Sequence, residues 1–154
     1  MRATGGLIGV CLSLGCGVTL PGCGAQALPE PGVCTADAAA VERAMARAPG
    51  AVRLADGTSI STCVSRALND AQLQNLGATL TAVADDLASR ARSAEGAAVS
   101  LGYLIGATRR GAAHSNGIEA ELVRRLEQDA VLDGASRSRR AAVDRGVRAG
   151  SELG

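Results

Sequence analysis

Apolar residues recur at helical spacing through most of the chain, and the strongest pattern lies between Ser65 and Arg90. Leu73, Leu76, Leu80, Val83 and Leu87 are separated alternately by three and four positions. That spacing places all five side chains on one stripe of an α-helix, while the charged residues of the segment occupy its other faces. We therefore predict a long helix whose leucine stripe faces a core.

Shorter helices are predicted before and after this segment. An early helix follows Thr35 or Asp37, either of which can cap it, and stops at the pair Pro49-Gly50. A late helix begins at Asn116, and Glu119 three residues further on completes the arrangement of a capping box. The predicted buried lines are Val41, Ala44, Met45 and Ala48 in the early helix, and Ile118, Leu122 and Leu126 in the late one.

A further helix is predicted around a strip of small residues, Ala98, Gly102 and Gly106, which are spaced four apart. Small side chains on one face let two helix backbones approach closely. We expect this strip to pack against the leucine stripe. The apolar stretch "AAVSLGYLIGA" is much shorter than the roughly 20 residues that a membrane span requires.

Two segments lack a clear helical pattern. Val52 and Leu54 alternate with polar neighbours before the turn pair Asp56-Gly57, which favours either a short β-hairpin or an extended loop. Residues 134–154 contain five arginines and few large apolar side chains, so we predict a basic, weakly ordered tail. The tail is interpreted as solvated; the alternative is contact with anionic lipid head groups or cell-wall polymers.

The predicted fold class is therefore all-α. We expect a small antiparallel bundle of three or four helices within residues 35–133, with the optional short β-hairpin between the first two helices. Composition narrows the function, since apolar residues make up 47% of the chain but aromatic residues only 1%, with Tyr103 as the single example. With so few aromatic rings and a net charge of +1, nucleic-acid binding is not expected.

The first 22 residues have the features of an export signal. Met1 and Arg2 give a positive start, and the uncharged apolar stretch from Gly5 to Leu20 suits the central region of a secretory signal. Pro21 and Gly22 then end the apolar run directly before Cys23.

The residues Leu20, Pro21, Gly22 and Cys23 resemble the lipobox of bacterial lipoproteins. The resemblance covers about the first 23 residues. It implies that Cys23 is alkylated by diacylglycerol and becomes the first residue after cleavage. Residues 23–34 are rich in proline and are predicted to form a tether between this cysteine and the helical domain. Two alternatives remain, because Ala25-Gln26-Ala27 fits ordinary signal peptidase with secretion after Ala27, and an uncleaved segment would act as a membrane anchor. All three place the domain outside the cytoplasm.

Cysteine usage agrees with an oxidising location. Cys11 and Cys16 fall in the signal segment, and Cys23 is acylated or removed, which leaves Cys34 and Cys63 as an even pair. In an extracytoplasmic compartment such a pair is expected to form a disulfide. We expect no metal site and no cofactor, because the chain has a single histidine, His114, and no C-x-x-C motif.

One polar cluster carries candidate chemistry. In "TRRGAAHSN", Arg109 and Arg110 could hold an anion, and His114 could act as a general base beside Glu119 or Glu121. The cluster lies on a predicted interhelical loop, and no nucleophile motif accompanies it. The favoured function is a membrane-anchored helical binding or structural module of the cell envelope, with an envelope protein or polymer as a possible partner. The alternative is a secreted or anchored envelope hydrolase that uses the His114 region.

Overall fold

The computed structural model describes residues 31–67, 69–115, 117–131 and 133–154. The predicted export signal, the lipobox ending at Cys23 and the alternative cleavage site after Ala27 lie outside these described residues.

Within the described residues the chain forms a short 3-10 helix and six α-helices, and no strand. The all-helical class is therefore confirmed, but the helices outnumber the three or four predicted. The additional ones are α2, which forms before Ser65 where no helix was predicted, and α6 in the tail; the predicted long helix begins at Asp70 rather than near Ser65. The elements are the 3-10 helix Gly32–Thr35, α1 Ala38–Met45, α2 Ile60–Ser65, α3 Asp70–Ala91, α4 Glu95–Gly111, α5 Ile118–Asp129 and α6 Arg137–Leu153.

Side-chain caps fix the starts of four α-helices. Asp37 Oδ1 accepts a hydrogen bond of 2.7 Å from Ala40 N at the start of α1, as predicted for one of its two candidate caps. Ser59, Asn69 and Ser136 accept equivalent bonds at α2, α3 and α6. Each cap satisfies a backbone N–H that has no partner within its helix. At α5 the cap position belongs to Gly117, which has no side chain to accept such a bond.

Of the two alternatives predicted for the segment between the first two helices, the β-hairpin is wrong and the extended loop is found. Gly57 is in the left-handed region with φ of 88°, and Leu54 N donates to Thr58 O at 2.9 Å, so the turn at Asp56-Gly57 is present. The residues before it do not pair with a second strand. Val52 and Leu54 are instead buried in an extended segment, and Val52 N donates to the Tyr103 hydroxyl at 3.0 Å. The alternating pattern therefore reports burial against α4 rather than strand pairing.

Helix α4 runs through the centre of the molecule, and every residue from Ala98 to Thr108 is buried. The leucine stripe of α3 is also buried along its whole length, as its spacing predicts. The few polar groups in this core are hydrogen-bonded, since Ser100 Oγ donates to Met45 O and Thr108 Oγ1 donates to Leu104 O. No described helix combines the length and apolar character needed to cross a bilayer.

The tail predicted as weakly ordered instead contains helix α6, which packs against α4. Its buried residues are Ala142, Val143, Gly146 and Gly150. The prediction of a frayed tail was wrong because burial of this helix does not depend on large apolar side chains. Small residues allow its backbone to lie directly on α4.

The contact between α4 and α6 is called here the glycine seam and comprises Gly102 and Gly106 of α4 with Gly146 and Gly150 of α6. Each glycine faces a backbone carbonyl oxygen of the other helix, and those oxygens belong to Val143, Val147, Val99 and Tyr103 respectively. A Cβ atom on Gly102 would also lie only 2.9 Å from Val147 N. The strip Ala98-Gly102-Gly106 thus permits close helix packing as predicted, but its partner is α6 rather than the leucine stripe.

Residue numbers rise together across the seam, so α4 and α6 run parallel. Gly102 lies opposite Val143, and four residues later Gly106 lies opposite Val147. Helices α4 and α5 are antiparallel, because α5 runs parallel to α3, with Gly77 facing Leu122 and Asp85 near Asp129, and the short turn after Ala91 reverses the chain between α3 and α4. Helices α3 to α6 therefore alternate in direction, as an antiparallel bundle requires, and α4 and α6 are parallel because α5 returns the chain between them.

The end of α6 is held by side chains from three other segments. Ser61 Oγ donates to Gly154 O at 2.6 Å, and Arg53 Nη1 donates to Leu153 O at 2.8 Å. Arg110 Nη1 donates to Ser151 O and Glu152 O. These donors satisfy carbonyl groups that have no partner within the helix, and a positive charge at this end also complements the helix dipole.

Candidate functional site

The structure separates the arginines of the predicted polar cluster from its histidine. Arg109 Nε donates to Glu127 Oε1 at 2.8 Å and so ties α4 to α5. Arg110 binds carbonyl groups at the end of α6. Both guanidinium groups therefore have partners within the domain rather than a shared position beside His114.

His114 is exposed in the turn after α4, and it has no hydrogen-bonded or ion-paired carboxylate among the described residues. Ser115 Oγ donates to Ala112 O at 3.0 Å, while the carboxylate of Glu121 binds Arg124 through two hydrogen bonds. Asn116 lies outside the described residues. Nothing in this arrangement brings a base, a nucleophile and an anion-binding group together, so the envelope hydrolase alternative gains no support from the geometry.

Cys34 and Cys63 lie at bonding distance. Their sulfur atoms are 2.00 Å apart and their Cα atoms 5.3 Å apart, which fits the predicted pair. The bond would join the 3-10 helix to α2, and both residues are buried. Across the part of the chain described, no three His, Cys, Asp or Glu side chains come together in a way that could hold a metal ion.

Helix α5 is the most loosely held of the long helices, and a groove lies on each side of it. Only Leu122 and Leu126 are buried among its twelve residues. Ile118, predicted to share their buried line, is 41% exposed, so that part of the prediction is wrong. The reason is that Ile118 is the first residue of α5 and lies at the mouth of a groove rather than beneath the helix.

The first groove lies between α3 and α5 and is called the α3–α5 groove. Its volume is ≈ 480 Å³. The middle of the α3 wall carries short side chains, at Gly77, Ala78, Thr81 and Ala82, which leaves space beside the helix. Ile118 and Leu122 of α5 form the opposite apolar wall. Cavities of this size with mainly apolar walls are typical of small-molecule sites.

Charged residues lie at the end of the α3–α5 groove where Asp85 and Arg125 line it. Asp129, one turn beyond Arg125, has a buried Oδ2 atom without a hydrogen-bond partner. Loss of hydration raises the pKa of the Asp129 carboxyl, the nearby charge of Asp85 raises it further, and Arg125 opposes the shift. Asp85 and Asp129 thus lie close enough to repel each other.

The second groove lies over α4, between α5 and α6, and has a volume of ≈ 370 Å³. Ile105, Val143 and Val147 supply its apolar floor. Its charged lining is balanced, because two basic residues, Arg109 and Arg140, accompany two acidic ones, Glu127 and Asp144. Arg109 and Glu127 already form an ion pair with each other.

Neither groove could be found by searching for catalytic motifs. The sequence does contain one indication of the α3–α5 groove, which is the set of short side chains on a face of α3 next to the leucine stripe. Comparisons of the chain with protein-family models, with curated proteins and with solved structures find no match.

Proposed function

We propose that this chain is an exported, lipid-anchored helical module that acts in the cell envelope by binding a partner in the α3–α5 groove. Cys23 is the proposed lipidation site, and the tether of residues 23–34 joins it to the helical domain. The localisation proposed is the extracytoplasmic side of the membrane. Release after Ala27 would give a secreted form of the same module.

The α3–α5 groove is the observation that carries the binding part of the proposal. It combines apolar walls, built from Ala78, Ala82, Ile118 and Leu122, with the charged end at Asp85. Apolar surface gives affinity through burial, and a few polar groups at a fixed place give orientation. Ile118 is the only large apolar side chain of this groove that is exposed among the described residues, so a bound partner would cover it.

Export is supported by two independent features. The residues Leu20 to Cys23 resemble a lipobox, and the only cysteines after residue 23 are Cys34 and Cys63, whose sulfur atoms lie at disulfide distance. Disulfides persist in oxidising compartments and are rare in the cytoplasm.

Lipidation can be tested by measuring the intact mass of the protein from the membrane fraction. We expect a diacylglycerol adduct on a chain that begins at Cys23, and we expect Cys23→Ala to lack the adduct. Cys16→Ala is the matched control and should retain it. A water-soluble product that begins at Leu28 would contradict the lipid anchor.

Occupation of the groove can be tested by thiol labelling of Ala78→Cys in intact cell envelopes. We expect the new thiol to react at least several-fold more slowly in the envelope than in the purified protein, because a bound partner covers this position. Ala71→Cys lies on the same helix, is exposed and does not line the groove, so its labelling rate should be equal in both preparations. Equal rates for Ala78→Cys would contradict a binding role for the groove.

A further inference from the structure

The α3–α5 groove has an uneven charge distribution along its length. Leu73 and Ile118 lie toward one end, and both side chains are apolar. Asp85 lies toward the other end and makes no ion pair with any residue in the described part of the chain. Helices α3 and α5 run parallel, since Gly77 faces Leu122 and Asp85 lies near Asp129. The N-terminal parts of both helices therefore form the apolar end of the groove, and their C-terminal parts form the acidic end.

We propose that the α3–α5 groove binds a small amphiphilic cation, with its apolar body between Ala78 and Leu122 and its ammonium group beside Asp85. This inference rests on the proposed function and names the chemical class of the bound partner.

The balance of charges selects a cation. Glu121 lines the groove, but its carboxylate is occupied by Arg124 through bonds of 2.9 and 2.5 Å. Arg125 lines the same end but forms no ion pair with Asp85, so the Asp85 carboxylate has no bound counter-charge among the described residues. An ammonium group placed there would be attracted, whereas a carboxylate or phosphate would be repelled.

The second groove provides an internal comparison. It also has an apolar floor, but its charged residues are balanced and two of them already pair. The second groove is therefore expected to bind a cationic ligand no more tightly than a neutral ligand with the same apolar body. The preference for a cation is thus expected only at the α3–α5 groove.

Isoleucine methyl groups can report on both grooves in one experiment. The chain has four isoleucines, of which Ile118 lines the α3–α5 groove, Ile105 lines the second groove and Ile60 lies in the core. The full chain, labelled with ¹³C at isoleucine δ1 and held in phosphatidylcholine nanodiscs, is titrated separately with hexylammonium, hexanol and hexanoate. The methyl spectrum also shows whether each variant below is folded.

With hexylammonium we expect a saturable shift of the Ile118 signal and none at Ile60. Hexanol should bind roughly two- to fivefold more weakly, the range that corresponds to one solvent-exposed charge interaction, and hexanoate more weakly still. Asp85→Asn should remove the preference for hexylammonium over hexanol, whereas Asp70→Asn on the same helix should keep it. Ala78→Leu should fill the groove and abolish the shift, whereas Ala71→Leu should leave it unchanged.

Several outcomes would overturn the proposal: equal or tighter binding of hexanoate, a saturable shift at Ile105 instead of Ile118, binding that survives Ala78→Leu, or no saturable shift at all. The failure of the cation proposal and that of the proposed function remain distinguishable. If Ala78→Cys is protected in envelopes while hexylammonium does not bind, the groove is occupied by a partner of another class, such as a protein segment. If Ala78→Cys is unprotected, the binding role itself fails.

Discussion

Alanine in place of Gly102 or Gly146 is expected to lower the free energy of unfolding by about 3 kcal/mol. The added methyl group of either variant would overlap backbone atoms of the facing helix, and a Cβ on Gly146 would lie 2.7 Å from Tyr103 N. Backbone atoms cannot rotate away as a side chain can, so α4 and α6 must move apart along the whole seam. The upper part of the range for overpacked cores, about 1 to 3 kcal/mol, is therefore appropriate. Urea unfolding followed by circular dichroism measures the change by linear extrapolation.

Gly77→Ala is the matched control for the glycine seam. A Cβ at this position in the middle of α3 would make an ordinary contact of 3.6 Å with Leu122 Cδ1. Because alanine is the better helix former, this variant should be more stable than the original by about 0.5 to 1 kcal/mol. If Gly102→Ala were as stable as Gly77→Ala, the close packing of α4 on α6 would be contradicted.

The double variant Gly102→Ala/Gly146→Ala gives a second test of the same contact. These two glycines lie against each other across the seam, since a Cβ on Gly146 would be 3.0 Å from Gly102 C. Once the first alanine has separated the two helices, part of the space that the second methyl group needs is already available. We therefore expect the double variant to lose less stability than the two single variants added together, whereas distant sites would add.

The glycine seam is a packing mode common among membrane helices, although no described helix of this domain has the length and apolar character to cross a membrane. In lipid, small residues allow close backbone contact and Cα–H···O interactions between helices. In water the same contact buries little side-chain area of its own. Its stability therefore depends on dispersion between backbones and on the large side chains that the seam brings together elsewhere, such as Tyr103 and Ile105 of α4.

The sequence predicted the elements whose burial depends on large apolar side chains. The stripe from Leu73 to Leu87 could be predicted because one face of a single helix is buried. The cap at Asp37 could be predicted because a short polar side chain precedes an apolar helical pattern. The segment with Val52 and Leu54 could not be assigned between a hairpin and an extended loop, because its hydrogen-bond partner is the Tyr103 hydroxyl, far away in the chain. Local alternation does not distinguish that situation from strand pairing.

Helix α6 was missed for a different reason. Glycine has low intrinsic helix propensity, and a face made of Ala142, Gly146 and Gly150 contributes little to a hydrophobic pattern. The relevant information was the spacing of four, which matches the spacing of Ala98, Gly102 and Gly106 on α4. The position of α5 was not predictable from its own pattern, because the groove beside it depends on the short side chains of α3.

Loss of the bond between Cys34 and Cys63 is expected to lower the free energy of unfolding by about 3 to 4 kcal/mol in the chain-entropy model. The bond closes a loop with a sequence separation of 29, and Cys34 is the only buried residue of its 3-10 helix. In Cys34→Ala/Cys63→Ala, hydrogen exchange should therefore accelerate first at residues 32–35, while α2, which buries four residues, remains protected longer. Reductant should destabilise the original chain by a similar amount and leave the double variant unchanged. Ready alkylation of both cysteines without reductant would contradict the bond.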